Sequence, residues 1–135
     1  MHVIIIEPGA IFQALSDSTR IRIVRLLAST KDEACLCELA ESLDEPEYKL
    51  SRHVKLLRQA GLISSEKEGR WIYHRLIKSS PQIGLLHKFI RELPDDYKQF
   101  RSDYKRFEKR KKIRTGNRCR TGNSTSKIPT KMARS

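Results

Sequence analysis

Apolar residues recur at helical spacing through the first sixty positions. Ile11, Phe12 and Leu15 share one face of a short helix over "PGAIFQALSD" (8–17), and Pro8 suits its first turn. In "TRIRIVRLLAS" (19–29), capped by Ser18, the residues Ile21, Val24 and Leu27 repeat every third position. Arg20, Arg22 and Arg25 largely take the other faces. "KDEA" is a polar break, and "CLCELAESL" (35–43) is a third short helix with Leu36, Leu39 and Leu43 inward. Asp32 or Glu33 favours its N-terminus. "DEP" turns the chain into "EYKLSRHVKLLRQA" (47–60), with an acidic cap from Asp44 or Glu45 and Pro46 in the first turn. Leu50, Val54 and Leu57 form the buried stripe of this helix, and Gly61 provides a left-handed stop.

The period then changes. Leu62 and Ser64 begin a strand, "EKEG" turns with Gly69 at positive φ, and Trp71, Tyr73 and Arg75 alternate with Ile72, His74 and Leu76 in a second strand. After Pro81 the spacing is helical again. Ile83, Leu86, Ile90, Leu93, Tyr97, Phe100, Tyr104 and Phe107 step by threes and fours, a heptad seam that Pro94 should kink or split near Ile90–Leu93. The seam calls for a partner surface and predicts a homodimer; the alternative is a long helix folded onto its own subunit. From about residue 113 the chain is polar, basic and rich in Gly, Ser and Thr, and is expected to be disordered. The pattern predicts a mainly α fold with a small β-hairpin (α+β). Residues 1–97 are expected to form one domain, and 98–135 a basic C-terminal extension, helical at first.

Composition sharpens this picture. The 135 residues are 38% hydrophobic and 33% charged, which fits one small domain. No apolar run approaches the ~20 residues of a membrane span, and "VIII" (3–6) is too short for a signal core, so a cytoplasmic location is expected. Three cysteines at uneven spacing argue against a disulfide framework and for reduced thiols. The net charge of +12 is not evenly spread. Residues 1–97 hold 14 basic and 14 acidic residues, whereas 98–135 hold 14 basic and 2 acidic. Residues 48–65 contain no acid at all. A locally basic segment and a basic tail point to a polyanion; the plainer reading of the tail is solubility.

Helix, short helix, turn, basic helix and hairpin is the order of a winged helix-turn-helix. A helix can present side chains to the major groove of double-stranded DNA, and a wing carrying Lys67 and Arg70 near its tip can reach phosphates or the minor groove. Ser51 can donate to phosphate or base edges, Arg52 can fork onto guanine and His53 can donate to either. Lys49, Lys55 and Arg58 supply sequence-independent attraction. Singly, each charge reads as a solvated helix face; with the wing and the acid-free stretch they read as a DNA surface.

"CLCEL", "LSRHVKLLRQAGLI" and "EGRWIYHRL", with "FQALSDSTRIRIVRLL" before them, resemble the ArsR/SmtB family of metal-sensing repressors over about residues 8–95. The resemblance implies a homodimeric winged-helix repressor with outer helices at the dimer interface and an inducer that lowers operator affinity. Pro46 and Tyr48 stand where the family usually has a small polar cap and then a proline.

Cys35-x-Cys37 resembles the arsenic- and antimony-sensing branch, which implies As(III) or Sb(III) as inducer. Thiolates prefer soft ions. A helix N-terminus raises the thiolate fraction, while Asp32, Glu33 and Glu38 oppose it. On a regular helix, residues i and i+2 point about 200° apart. Gripping one ion should therefore unwind the first turn and disturb Arg52 and His53. A trivalent ion usually takes three soft ligands; Ala40 stands where some relatives have the third cysteine, so either Cys119, in the tail, or a solvent molecule or small thiol fills the third place. Core filler explains one cysteine but not two on different faces. Another soft metal, a sulfur-redox sensor and a non-regulatory basic nucleic-acid binder remain as alternatives. His87 lacks the carboxylate and second histidine of the family's zinc sites, and His2, His74 and His87 read as structural or solvent-facing. No Gly-rich phosphate loop or nucleophile motif suggests an enzyme.

Overall fold

The computed structural model describes residues 7–114. Helix α1 (Pro8–Ala14) is capped by the Glu7 carboxylate, which accepts from the Ala10 amide at 2.8 Å. Helix α2 (Ser18–Thr30) is capped by Asp17, not Ser18; the carboxylate accepts from the Arg20 amide at 3.1 Å. A carboxylate there satisfies an otherwise open amide and also suits the helix dipole. α2 is the axle of the molecule. Ile23, Val24, Leu26, Leu27 and Ala28 are all buried, because α4 (Glu47–Gln59), β3 (Trp71–Leu76), α5 (Pro81–Arg91) and α6 (Gln99–Lys111) pack around it.

A short strand, β1 (Ala34–Cys35), precedes α3 (Leu36–Leu43). Cys35 was expected inside that helix; it is extended (φ −84°, ψ 167°) and forms the N-cap. Two residues are too few to show a period-2 pattern, so the strand is silent in the hydropathy profile. Asp44 ends α3 in the left-handed region (φ 56°). Glu45 accepts from Lys49 Nζ at 2.9 Å and from Arg22 at 3.4 Å. Neither acid therefore caps α4 (Glu47–Gln59), whose N-cap is Pro46 with no side-chain bond. The expected stripe is buried: Leu50, Val54 and Leu57 are at most 2% exposed.

Strands β2 (Ile63–Glu68) and β3 (Trp71–Leu76) form the hairpin. β2 runs through Glu68, so the turn is shorter than "EKEG", with Gly69 at φ 62°. β3 is the central strand of three. Ser65 pairs with His74 on one side; Ala34 pairs with His74 and Cys35 with Tyr73 on the other, all antiparallel.

The heptad seam does not persist as one helix. It divides into α5 (Pro81–Arg91) and α6 (Gln99–Lys111) around Pro94, with Lys98 in the left-handed region. The Asp95 carboxylate accepts from the Phe100 and Arg101 amides at 3.0 Å each, which fixes the start of α6. The seam also fails to face one partner. Ile83, Ile90 and Phe107 are buried within the subunit, whereas Tyr97 is 96% exposed. α6 packs on α3 and α2. The arginines of α2 hold these helices: Arg22 grips Asp103 at 2.8 and 2.9 Å, and Arg25 donates to the carbonyls of Ile90 and Leu93. Among the described residues no helix is long and apolar enough to cross a membrane. Cys119 and most of the stretch expected to be disordered lie outside the described residues.

Candidate nucleic-acid interface and thiol site

α4 and the wing enclose a groove of about 840 Å³. Six of the eight residues expected at DNA line it: Ser51, Arg52, Lys55 and Arg58 from α4, and Lys67 and Arg70 from the hairpin. α4 presents the first three because Leu50, Val54 and Leu57 bind its opposite face to the core. Arg58 also donates to Ser65 Oγ on β2 at 3.3 Å. Lys49 and His53 are not among the groove residues. Lys49 is paired with Glu45, and His53 Nδ1 lies 3.1 Å from Arg20 Nη1 and 3.9 Å from Asp17. Burial, with Arg20, Lys49 and Arg52 nearby, lowers the His53 pKa against the pull of Asp17. The groove also carries Trp71, Ile72 and Tyr48, which charge reasoning passed over. Tyr48 is 75% exposed, an aromatic at the solvent edge of α4.

Cys35 and Cys37 line the same groove. Their sulfurs are 3.0 Å apart. The expected divergence of the two side chains does not occur, because Cys35 is not helical. An N-cap side chain folds back over the first turn, toward the second and third residues, and Cys37 is the second. The pair can thus meet one ion without unwinding α3. Cys35 is buried and Cys37 half-buried, and both carry thiols. The Cys35 amide donates to Glu38 Oε1 at 3.1 Å, the return half of a capping box.

Sequence reasoning missed the side chains behind the thiols. Glu38 is fully buried; Arg114 Nε and Nη2 donate to its two oxygens at 2.7 and 2.9 Å. Arg114 Nη2 also donates to the Glu33 carbonyl, and Lys111 Nζ to Asp32 at 3.2 Å. Arg110 Nη2 reaches Cys37 Sγ at 3.7 Å. Burial raises the Asp32 pKa, but the Glu33 amide, Arg114 and Lys111 outweigh it and hold Asp32 below the usual range. Glu38 three residues after the N-cap was a readable signal; Arg110 and Arg114 were not, being a tertiary match from α6 and the residues just after it.

The donor set suits a thiophilic ion and gives it two sulfurs. Among the described residues no group of three or more His, Cys, Asp or Glu side chains could hold a metal.

A three-helix core with a helix-turn-helix (α3–α4) and a β-wing (β2–β3) defines a winged helix-turn-helix protein, a class that docks its second helix in DNA. The arsR family of bacterial regulatory proteins matches residues 17–65. The chain is 45% identical over 76 residues to the arsenical resistance operon repressor of Escherichia coli. It is 40% identical over 78 residues to the arsenic resistance transcriptional regulator ArsR1 of Pseudomonas putida. These alignments cover 56% and 58% of this chain, and the chain spans 62% and 60% of those relatives' length. A cadmium resistance regulatory protein CadC homolog of Staphylococcus aureus is 33% identical, over 61% of this chain and 70% of its own. The fold is that of reduced HlyU from Vibrio cholerae (TM-score 0.54, 24% identity, 61% of this chain and 82% of that one). It is shared by a homodimeric winged helix-turn-helix domain from Mycobacterium bovis (TM-score 0.53, 22% identity, 62% and 73%). The chain belongs to the ArsR family of bacterial regulatory proteins, a family of regulators and not of enzymes.

Proposed function

We propose that the chain is a homodimeric transcriptional repressor, acting in the cytoplasm, that leaves its operator DNA when arsenite or antimonite binds Cys35 and Cys37. One observation carries this reading: the two sulfurs, 3.0 Å apart, share a groove with Ser51, Arg52, Lys55 and Arg70. The arsenic-resistance names of relatives at 40 and 45% identity support the choice of inducer. Cys35 and Cys37 would hold a trivalent thiophilic ion, which would supply a soft acceptor for both thiolates. The chain's own part is transmission. Cys35 is paired with Tyr73 in the central wing strand, and Cys37 lies on α3, which packs on α4. A shift at the pair thus has two short paths to the DNA surface, and the one through β1–β3 needs no unwinding of α3. Cys119 is the proposed third ligand. It follows Arg114, anchored at Glu38, by five residues, a span of about 17 Å at full extension.

The test is a gel shift on DNA from upstream of the chain's own gene, titrated with arsenite, antimonite, zinc and cadmium. A footprint with half-sites one helical turn apart and release by arsenite or antimonite are expected. Cys35→Ala and Cys37→Ala should each keep operator binding and lose release. Release of both variants by arsenite, or release only by zinc or cadmium, would overturn the inducer assignment. Uniform, salt-sensitive binding to any duplex would overturn the repressor.

Dimerisation has its own surface. Leu85 and Phe89 lie one turn apart on the outer face of α5 and are 67% and 63% exposed, and Phe12 on α1 is 66% exposed. Phe89→Glu should convert a sedimenting dimer to a folded monomer and weaken operator binding. A variant that still sediments as a dimer places the interface elsewhere.

A further inference from the structure

A second concavity, apart from the groove, lies between α2, the end of β3 and α5. Its volume is about 480 Å³, within the range that small organic ligands occupy. His87 lines it from α5. The ring is 4% exposed, and its Nε2 has no hydrogen-bond partner among the described residues. A buried nitrogen left without a partner is costly, and nearly all such atoms in folded proteins are satisfied. His87 lines the cavity, and this nitrogen sits within its wall.

The charge around the cavity is unbalanced. Lys31, Arg75, Lys78 and Arg91 line it, against Asp32 and Glu33. Both acids are already engaged: Asp32 by Lys111 and Arg114, Glu33 by Arg75. Among the described residues no carboxylate comes within ion-pair distance of Lys31, Lys78 or Arg91. Leu27, Ala28 and Leu76 provide an apolar wall. Burial, with Arg91 and Lys78 nearby, lowers the His87 pKa, so the ring is neutral at pH 7 and can offer Nε2 as a neutral donor or acceptor.

We propose that this cavity binds a small organic anion. Its charged group lies among Lys78, Arg91 and Lys31 beside the His87 ring, and its short apolar body rests on Leu27, Ala28 and Leu76. A bare inorganic ion would leave the apolar wall unused; a neutral molecule would leave three cations uncompensated. The site is independent of the thiol pair, so its test does not depend on the inducer.

The isotopically labelled full chain is titrated with phenyl phosphate, inorganic phosphate and benzyl alcohol. Shifts are read at the His87 ring nitrogens and the amides of Ala28 and Lys31. Phenyl phosphate should give saturable shifts there at millimolar concentration, inorganic phosphate weaker ones and benzyl alcohol none. Lys78→Gln and Arg91→Gln, both outside the apolar core, should each weaken phenyl phosphate by about tenfold, the loss of one charge-assisted contact. Four results would each overturn the proposal: no saturable shift at His87, an equal response to benzyl alcohol, unchanged affinity in both variants, or shifts confined to Ser51, Arg52 and Arg70.

Discussion

Phe107→Ala should lower the unfolding free energy by about 3–5 kcal/mol, the usual cost of emptying a fully buried aromatic site. Phe107 is completely buried where α6 meets the body. Lys111 and Arg114 lie against its ring, with their charged ends 5.9 and 5.7 Å from the centroid. Those cations also bond Asp32 and Glu38 beside the thiols, so loosening α6 loosens the wall behind Cys37. In a domain of this size the loss corresponds to a fall in Tm of about 10–20 °C. Tyr104, one turn earlier and 41% exposed, is the control: Tyr104→Ala should cost less than about 1 kcal/mol. Thermal and denaturant melts of the two variants decide it. If they are equally destabilised, α6 is not docked through Phe107.

That contrast also shows what the amino-acid sequence could and could not tell. Tyr104 and Phe107 occupy successive positions of one heptad pattern, and spacing alone gave them the same role. The pattern held in register but not in space, because Pro94 and the Asp95 cap turn α6 onto α3. Elements with a long apolar stripe, such as Leu50, Val54 and Leu57 in α4, were legible, since burial of one face leaves a periodic trace. The cationic lining of the groove was legible for a similar reason: cations on the remaining face cluster in sequence as well as in space. Lys49 and His53 lie outside the groove, Lys49 paired locally with Glu45 and His53 held by Arg20 from α2. The thiol geometry was not legible. It depends on Cys35 being extended, which follows from pairing with Tyr73, 38 residues away in the chain.

Acidification should destabilise the chain before its carboxylates titrate, by about 3 kcal/mol through His74 alone. Burial first, and then the neighbouring Arg58, push the His74 pKa from 6.5 down to about 4. The ring is 6% exposed, and its Nδ1 lies 2.7 Å from Ser65 Oγ. The folded state thus binds the proton less readily than the unfolded chain. The stabilisation is complete above pH 6.5, declines as the pH falls from 6.5 toward about 4, and is fully lost below that. A shift of this size, at about 1.4 kcal/mol per pH unit, gives the stated loss. His53 and His87 are lowered as well and act in the same sense. Asp17, Asp32 and Glu45 are lowered too, but from values of 3.8 to 4.5, so their contribution fails only at lower pH. Denaturant melts across the histidine window separate the two sets. His74→Gln removes the titrating ring and leaves an amide for Ser65, and it should flatten most of the slope between pH 6.5 and 4.5. An unchanged slope would show that His74 does not carry the effect. His74 is hydrogen-bonded into the wing and paired with Ala34, the residue before Cys35, so protonating it strains the junction between the thiol strand and the β2–β3 hairpin. Operator affinity should therefore weaken over the same pH range in the parent chain and less so in His74→Gln.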